Sequence, residues 1–225
     1  MRRRLLAVVA FVLLGLVVWL LTRPGDAPLI GSNAPQAYSR AAFDQWLIAD
    51  PDRIRDFEDF ADYLAGQGVG NVVPVWQLTR TDANRSKDCE RPQFLIPPRD
   101  DWANIVPVLV LVRDHVSPEI GAVEVQSTYR TPDFNDCIGG AVRSRHLSFS
   151  AVDLTPVEPI PNSQLFGNLC QLQAQLGPAS RFGLGAYFDP SMPDRASGRF
   201  HVDVSGYRSW GYSQRSESSG CRAFR

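Results

Sequence analysis

The sequence predicts an α+β fold in which a small antiparallel sheet is flanked by helices, with one transmembrane helix in front of it. Short segments alternate apolar and polar residues as strands do, whereas longer segments place apolar residues three or four positions apart as helices do. The 17 glycines and 17 prolines indicate many turns between these elements. A chain of 225 residues suffices for one domain with a sizeable core or for two small ones.

The N-terminal segment is predicted to cross a membrane. Three arginines, Arg2, Arg3 and Arg4, precede an uncharged apolar run over residues 5–21, which at about 1.5 Å per residue just spans a bilayer core. The arginines favour a cytoplasmic N-terminus. We therefore expect a single-pass protein of the inner (cytoplasmic) membrane with its main domain in the periplasm or otherwise extracytoplasmic. A cleaved signal peptide is the alternative.

Four segments follow from these patterns. Residues 1–24 are the cytoplasmic stub and membrane anchor, and residues 25–38 are a linker rich in Pro, Gly and Ala. Residues 39–93 are a helical extension that packs on the main domain, which spans residues 94–225. The role of the extension is open: it either covers the fold or binds a partner.

The individual elements are predicted in chain order. In the extension, residues 39–48 form a helix with Ser39 as its N-cap, and residues 54–66 form an amphipathic helix. Residues 72–78 resemble a short strand. The main domain is predicted to contain helices over residues 101–115 and 162–176, and strands over residues 121–128, 149–154, 182–188 and 199–204.

Charge and cysteine usage restrict the class of protein. The formal net charge of −1 favours neither nucleic-acid binding nor a solvating acidic tail. An even number of cysteines in an exported chain favours two disulfides, and four cysteines allow three pairings. We favour Cys89–Cys137 and Cys170–Cys221; four free buried thiols are the alternative.

The most informative residues are His146, Asp153 and His201. They lie in two short segments, SRHLSFSAVD at residues 144–153 and FHVDV at residues 200–204. Two imidazoles and a carboxylate are a common ligand set for a catalytic zinc ion, which keeps a further position open. The third histidine, His115, has no motif around it and is interpreted as structural.

Strand periodicity supports this ligand set. Because side chains alternate across a strand, His201 and Asp203 share one face of residues 199–204 while the apolar residues share the other. Asp203 is therefore predicted to point into the same space as a metal ligand. It acts there either as a general base or as a group that orients an imidazole.

Several blocks, in order, resemble the M15 zinc peptidases, a family that includes D-alanyl-D-alanine carboxypeptidases and related murein peptidases. They are VQSTYRTPDFN at residues 125–135, GGA at residues 139–141, the segment from Ser144 to Asp153, Gly183 and Gly185 before Tyr187, and FHVD at residues 200–203. The resemblance covers residues 94–210, about half of the chain. It implies the LAS-type metallopeptidase fold shared with the hedgehog signalling domain.

The resemblance also implies residue roles. His146, Asp153 and His201 would bind Zn²⁺, and Arg130 would bind a peptide carboxylate or carbonyl, for which its planar guanidinium is suited. Asp203 is the expected base. The remaining substrate-binding candidates are Ser127, Tyr129, Asn135 and Ser144, of which the two serines are expected to support the site through hydrogen bonds.

The chain departs from the family pattern at two points. The family usually has Gly three residues after the first histidine, where this chain has Phe149, whose ring either reshapes the cleft or packs beneath it. Many relatives place Glu, Asp or His shortly before the third ligand, where this chain has Gly198 and Arg199.

The implied function is hydrolysis of peptide bonds in peptidoglycan stem peptides or cross-links by a zinc peptidase. We expect a monomer that contacts the membrane through its N-terminal helix and binds no nucleic acid. Two alternatives remain: an inactive zinc-binding recognition module on the same fold, and a disulfide-stabilised scaffold. The sequence leaves open which bond is cut, by a carboxypeptidase or an endopeptidase.

Overall fold

In the computed structural model, which describes residues 38–82 and 85–224, five strands form one mixed sheet in the order β1-β2-β4-β3-β5. The strands are β1 (Val123–Ser127), β2 (Ala151–Pro156), β3 (Gly183–Ala186), β4 (Phe200–Asp203) and β5 (Arg208–Trp210). An α+β fold is confirmed, but the prediction of a purely antiparallel sheet is wrong at one edge, where β3 and β5 are parallel. After β4 the chain reverses direction, and β5 pairs with the side of β3 that faces away from β4. Strand β3 is itself antiparallel to β4.

Six α-helices surround this sheet in the described residues: α1 (Arg40–Ile48), α2 (Pro51–Gly66), α3 (Trp102–Leu111), α4 (Ser117–Ile120), α5 (Pro132–Cys137) and α6 (Asn162–Leu176). A π-helical segment, Val112–Val116, joins α3 to α4, so the predicted helix over residues 101–115 continues further than expected. None of these helices has the length and apolarity that crossing a bilayer requires. The apolar run at residues 5–21 lies outside the described residues.

The segment before α3 packs on the edge of the sheet without joining it. Ser39 caps α1 as predicted, with its hydroxyl accepting a hydrogen bond from the Ala42 amide. The predicted strand over residues 72–78 is wrong, because Val75–Thr79 forms a 3₁₀ turn. The side chain of Gln77 in this turn accepts a hydrogen bond from the Val125 amide at 3.0 Å. A side chain thus takes the place of a neighbouring strand as the partner of a backbone amide at the edge of β1.

The two faces of the sheet differ in chemistry. Side chains alternate across each strand, and one face packs its apolar residues under α3 and α6 in the main core. This apolar face is formed by Val123, Val125, Val152, Leu154, Leu184, Phe200 and Val202. The opposite, polar face carries buried ionisable and polar groups: Glu124, Gln126, Asp153, Thr155, His201 and Asp203.

Two disulfides join distant segments, in the pairing that the sequence analysis favours. Cys89–Cys137 connects the segment that follows Asp82 to the end of α5, with 6.1 Å between the Cα atoms. Cys170–Cys221 connects α6 to the C-terminal 3₁₀ turn Gly220–Phe224, with 5.3 Å between the Cα atoms. The second disulfide is part of the main core, which includes the apolar face of the sheet, whereas the first disulfide lies outside that core.

Candidate metal centre

One row of residues crosses the polar face and positions most of the site. The strand register pairs Ser127 with Asp153, Asp153 with His201, and His201 with Gly185, which in turn pairs with Trp210. Directly paired residues on neighbouring strands share a face and lie side by side. The register therefore brings Asp153 and His201 together, although they are far apart in the sequence.

Gly185 makes room for this row. A β-carbon at this position would lie 2.7 Å from the β-carbon of His201 and 2.9 Å from the hydroxyl oxygen of Tyr187. Contacts that short do not occur between real side chains. The glycine is thus needed so that His201 and Tyr187 can occupy the same end of the sheet.

His146 reaches the row from a loop. It lies in the 3₁₀ turn Arg145–Ser148, where the Ser144 hydroxyl accepts a hydrogen bond from the His146 amide at 3.4 Å. The Nδ1 atom of His146 lies 2.5 Å from the backbone carbonyl oxygen of Thr128. Because a carbonyl only accepts, we assign the ring proton to Nδ1, which leaves the lone pair of Nε2 directed at the row.

Three ligand atoms converge at one point. His146 Nε2 lies 3.1 Å from His201 Nδ1 and 3.3 Å from Asp153 Oδ1, and His201 Nδ1 lies 2.9 Å from Asp153 Oδ1. All three side chains are buried. Two nitrogen atoms and one carboxylate oxygen in this arrangement form a donor set that suits a zinc ion.

The protonation states of His146 and Asp153 also suit a cation. Burial lowers the pKa of His146 to about 4, with a further contribution from Arg130, so its imidazole is neutral near pH 7. Burial alone would raise the pKa of Asp153, but Arg199 and the histidines outweigh it and hold that pKa well below its usual value. Asp153 is therefore ionised and able to act as a ligand.

The second oxygen of Asp153 contacts arginines instead of histidines. Its Oδ2 atom accepts hydrogen bonds from Arg130 Nη2 at 2.7 Å and from Arg199 Nη2. The same two guanidinium groups contact Oδ2 of Asp82, Arg199 at 2.6 Å and Arg130 at 3.3 Å. Two buried carboxylates and two arginines thus form a charge-balanced network behind the candidate ligand.

Asp203 contacts His201 on the side of the ring that faces away from the ligand atoms. It lies on the same face as His201, as predicted, but its Oδ2 contacts the far nitrogen of that ring, Nε2, at 3.1 Å. The carboxylate is fully buried and also accepts hydrogen bonds from Arg208 and from the Ser205 amide. Because the carboxylate faces away from the ligand atoms, this geometry favours the alternative in which Asp203 orients His201 over the one in which it acts as a general base.

The Arg130 side chain mainly contacts other residues of the site and is little exposed to a substrate. Its Nε donates a hydrogen bond to the Ser127 hydroxyl at 3.0 Å, and its side chain is only 8% exposed. Ser127 is fully buried and donates to the Thr81 carbonyl. Arg130 holds Asp153 and Ser127 holds the neighbouring loop, so the burial of Ser127 favours the supporting role over direct contact with a substrate.

The other substrate-binding candidates differ in position. Ser144 lines the cleft described below, at the start of the turn that carries His146. Asn135 is buried, and its amide donates to the Ala141 carbonyl at 3.1 Å. Tyr129 packs against the hydrophobic core. Neither side chain lines the cleft, and substrate contact by Asn135 and Tyr129 stays a prediction.

Phe149 packs beneath the site. It ends the His146 turn in the left-handed conformation, with φ 50° and ψ 35°, which costs a residue with a side chain about 1–2 kcal/mol. Its ring is fully buried and lies 5.9 Å from the ring of Phe60 in α2. Burial of the ring offsets the backbone cost and ties the extension to the turn that carries His146.

The ligand atoms open into a cleft of about 830 Å³. Tyr187 and Trp210 line it beside the histidines, and the indole N–H of Trp210 donates a hydrogen bond to the Tyr187 hydroxyl oxygen. Burial raises the pKa of Tyr187 to about 12, with a further contribution from Asp153, so this hydroxyl keeps its proton. It is a neutral donor at the edge of the candidate metal centre.

Comparison with known proteins agrees with the resemblance. The family model described as Peptidase M15 matches residues 77–183, just under half of the chain. The resemblance to M15 peptidases that the sequence motifs indicate is confirmed, and it supports a metallopeptidase hydrolase. The match contains His146 and Asp153 and ends before His201. No curated protein and no solved structure matches the chain.

Proposed function

We propose that this protein is a zinc-dependent peptidase that hydrolyses peptidoglycan stem peptides or cross-links, as a D-Ala-D-Ala carboxypeptidase or an endopeptidase. The observation that carries the proposal is the convergence of His146 Nε2, Asp153 Oδ1 and His201 Nδ1 within 4.8 Å of one another. Two of these residues lie in the segment that matches Peptidase M15. The three residues would hold the ion.

The residues around the centre have distinct roles in this proposal. A zinc ion would supply a Lewis acid for the scissile carbonyl and lower the pKa of the attacking water. The Tyr187 hydroxyl donates a hydrogen bond to the carbonyl oxygen as negative charge develops on it. Arg130 and Arg199 fix the orientation of Asp153, and Asp203 fixes that of His201, as partners of metal ligands commonly do.

The substrate and location are proposed from the predicted membrane anchor and the disulfides. Disulfides persist in oxidising compartments outside the cytoplasm, where the polymer that contains such peptides is found. An anchor at residues 5–21 would keep the cleft close to that polymer. We propose a monomer on the outer side of the cytoplasmic membrane, with no role for nucleic acid.

A second candidate function is an inactive recognition module that binds zinc and peptides. It is favoured by one observation: among the described residues, the carboxylates that line the cleft are Asp82 and Asp153, and both are held by arginines. A peptidase with this arrangement must move its proton through water or Tyr187 instead of through a separate carboxylate.

The test is cleavage of defined muropeptides by the full-length protein in detergent. We expect cleavage that a chelator abolishes and added zinc restores, that is absent in His201→Ala and that persists in His115→Ala, since the His115 side chain is exposed on the π-helical segment Val112–Val116. Release of a single terminal residue identifies a carboxypeptidase, and separation of cross-linked peptides identifies an endopeptidase. Zinc and peptide binding without cleavage would instead establish the recognition module.

A further inference from the structure

The cleft carries more positive charge than the metal centre requires. Six arginines and two aspartates line it in the described part of the chain. Arg130 and Arg199 are balanced by Asp82 and Asp153. Arg208 is balanced by Asp203, which it contacts at 2.7 Å.

Three arginines remain after these pairs: Arg85, Arg143 and Arg145. All three are exposed, and none forms an ion pair with another described residue. Because the whole chain has a formal net charge of −1, this charge is local to the cleft and is not part of a generally basic surface.

The position of these arginines relates them to the ligands. Arg143 and Arg145 flank Ser144, which caps the turn that carries His146. Arg85 follows Asp82 in the segment that the Cys89–Cys137 disulfide ties to α5. The cleft is therefore rimmed by guanidinium groups on two segments, and the disulfide ties the segment of Arg85 to the helix that precedes Arg143 and Arg145.

We propose that Arg85, Arg143 and Arg145 form an arginine rim that selects acidic peptides, with a free carboxylate on a residue beside the scissile bond. A guanidinium group pairs with a carboxylate through two parallel hydrogen bonds, and several such groups on a concave surface raise the local concentration of an anionic ligand. The proposal rests on the proposed function for the scissile bond, but the rim binds its ligand independently of a metal ion.

The test compares two synthetic peptides that differ in one group, a side-chain carboxylate or its carboxamide. An exposed ion pair contributes about two- to fivefold in binding, so we expect the wild type to prefer the acid about tenfold in kcat/KM, mainly through KM. The double variant Arg143→Gln/Arg145→Gln should reduce that preference to about twofold or less. Added salt should weaken the wild-type preference, because the rim is exposed.

A matched control variant removes the same number of positive charges from outside the cleft. Lys87 and Arg222 are exposed and do not line it, so Lys87→Gln/Arg222→Gln should keep the preference for the acid. The pair Arg85→Gln and Lys87→Gln makes the same comparison within one segment of the chain. Equal cleavage of the acid and the amide by the wild type would overturn the proposed role of the arginine rim. So would a preference for the acid that survives in Arg143→Gln/Arg145→Gln.

Measuring peptide binding distinguishes failure of the arginine-rim proposal from failure of the proposed peptidase function. If the wild type cleaves neither peptide, the proposed function fails, and titration calorimetry with chelator-treated protein still tests the rim. Tighter binding of the acid by the wild type and by Lys87→Gln/Arg222→Gln, lost in Arg143→Gln/Arg145→Gln, would support it. Equal binding of both peptides, or no binding of either, would reject it.

Discussion

The apolar and polar faces of the sheet place adjacent residues in opposite roles. Phe200 on β4 is fully buried in the core beneath α3 and α6, whereas His201, the next residue, meets Asp153 across the polar face. The apolar face is held by hydrophobic burial, which is non-directional. The polar face is held by ion pairs and hydrogen bonds, which are directional and require specific distances and angles between their partners.

This difference teaches that stability and chemistry are separable in this fold. Burying charges is costly unless each is paired, and the polar face meets this condition with Arg130 and Arg199 on Asp153 and with Arg208 on Asp203. A change on the apolar face should therefore weaken folding first. A change on the polar face should weaken metal binding and catalysis first.

The largest expected effect is loss of activity in His201→Ala. Removing one of three ligands should abolish zinc-dependent cleavage, while the apolar face beneath it keeps the domain folded. Muropeptide cleavage and circular dichroism of the same samples check this. Zinc-dependent cleavage at the wild-type rate by a folded His201→Ala would contradict the role of this histidine.

The neighbouring change, Phe200→Ala, should have the opposite consequence. Truncating a fully buried phenylalanine costs about 3–5 kcal/mol of stability, which urea denaturation measures. The fraction that stays folded should bind zinc as the wild type does. A stable Phe200→Ala protein that lost its zinc would break the separation between the two faces.

Removing each disulfide separately distinguishes effects on the cleft from effects on the core. They close loops of similar size, with sequence separations of 48 and 51, so replacing either pair by serines should cost about 2–4 kcal/mol in stability. Only Cys89→Ser/Cys137→Ser should also raise KM, because it frees the segment beside Asp82. An equal rise in KM for Cys170→Ser/Cys221→Ser would show that the cleft depends on general stability alone.

The smallest expected effect sharpens the role of Asp203. If it orients His201, Asp203→Asn should weaken zinc affinity about 10- to 100-fold and leave kcat at saturating zinc nearly unchanged. A base would instead lower kcat about 10²- to 10⁴-fold at saturating zinc. Asp114→Asn, which removes an exposed carboxylate paired with Arg113, is the matched control and should change neither quantity.

The sequence predicts the apolar face better than the polar one. Periodicity predicts α6 with its observed bounds, Asn162–Leu176, and the alternation in β4. Strand β5 was not predicted, because Arg208–Trp210 is too short and polar to show a period. Hydrophobic periodicity reports burial, which suffices where packing is non-directional.

On the polar face, motifs identify candidate ligands but not their partners. His146, Asp153 and His201 stand in recognisable segments, whereas Asp82 has no motif and meets Asp153 only through the fold. Arg199 could be seen as a departure from the family pattern, yet nothing in the sequence indicates its contact with Asp153. Alternation gives the face of Asp203 but not which nitrogen of His201 it meets, because strand period does not fix side-chain torsions.

The central claim is that His146, Asp153 and His201 hold one zinc ion. The most direct test is elemental analysis of purified full-length protein, supplied with zinc and freed of loosely bound metal, beside His146→Ala and His115→Ala. The account predicts about one zinc per chain for the wild type and His115→Ala, and little or none for His146→Ala. A folded wild type without zinc, or undiminished zinc in His146→Ala, would contradict it.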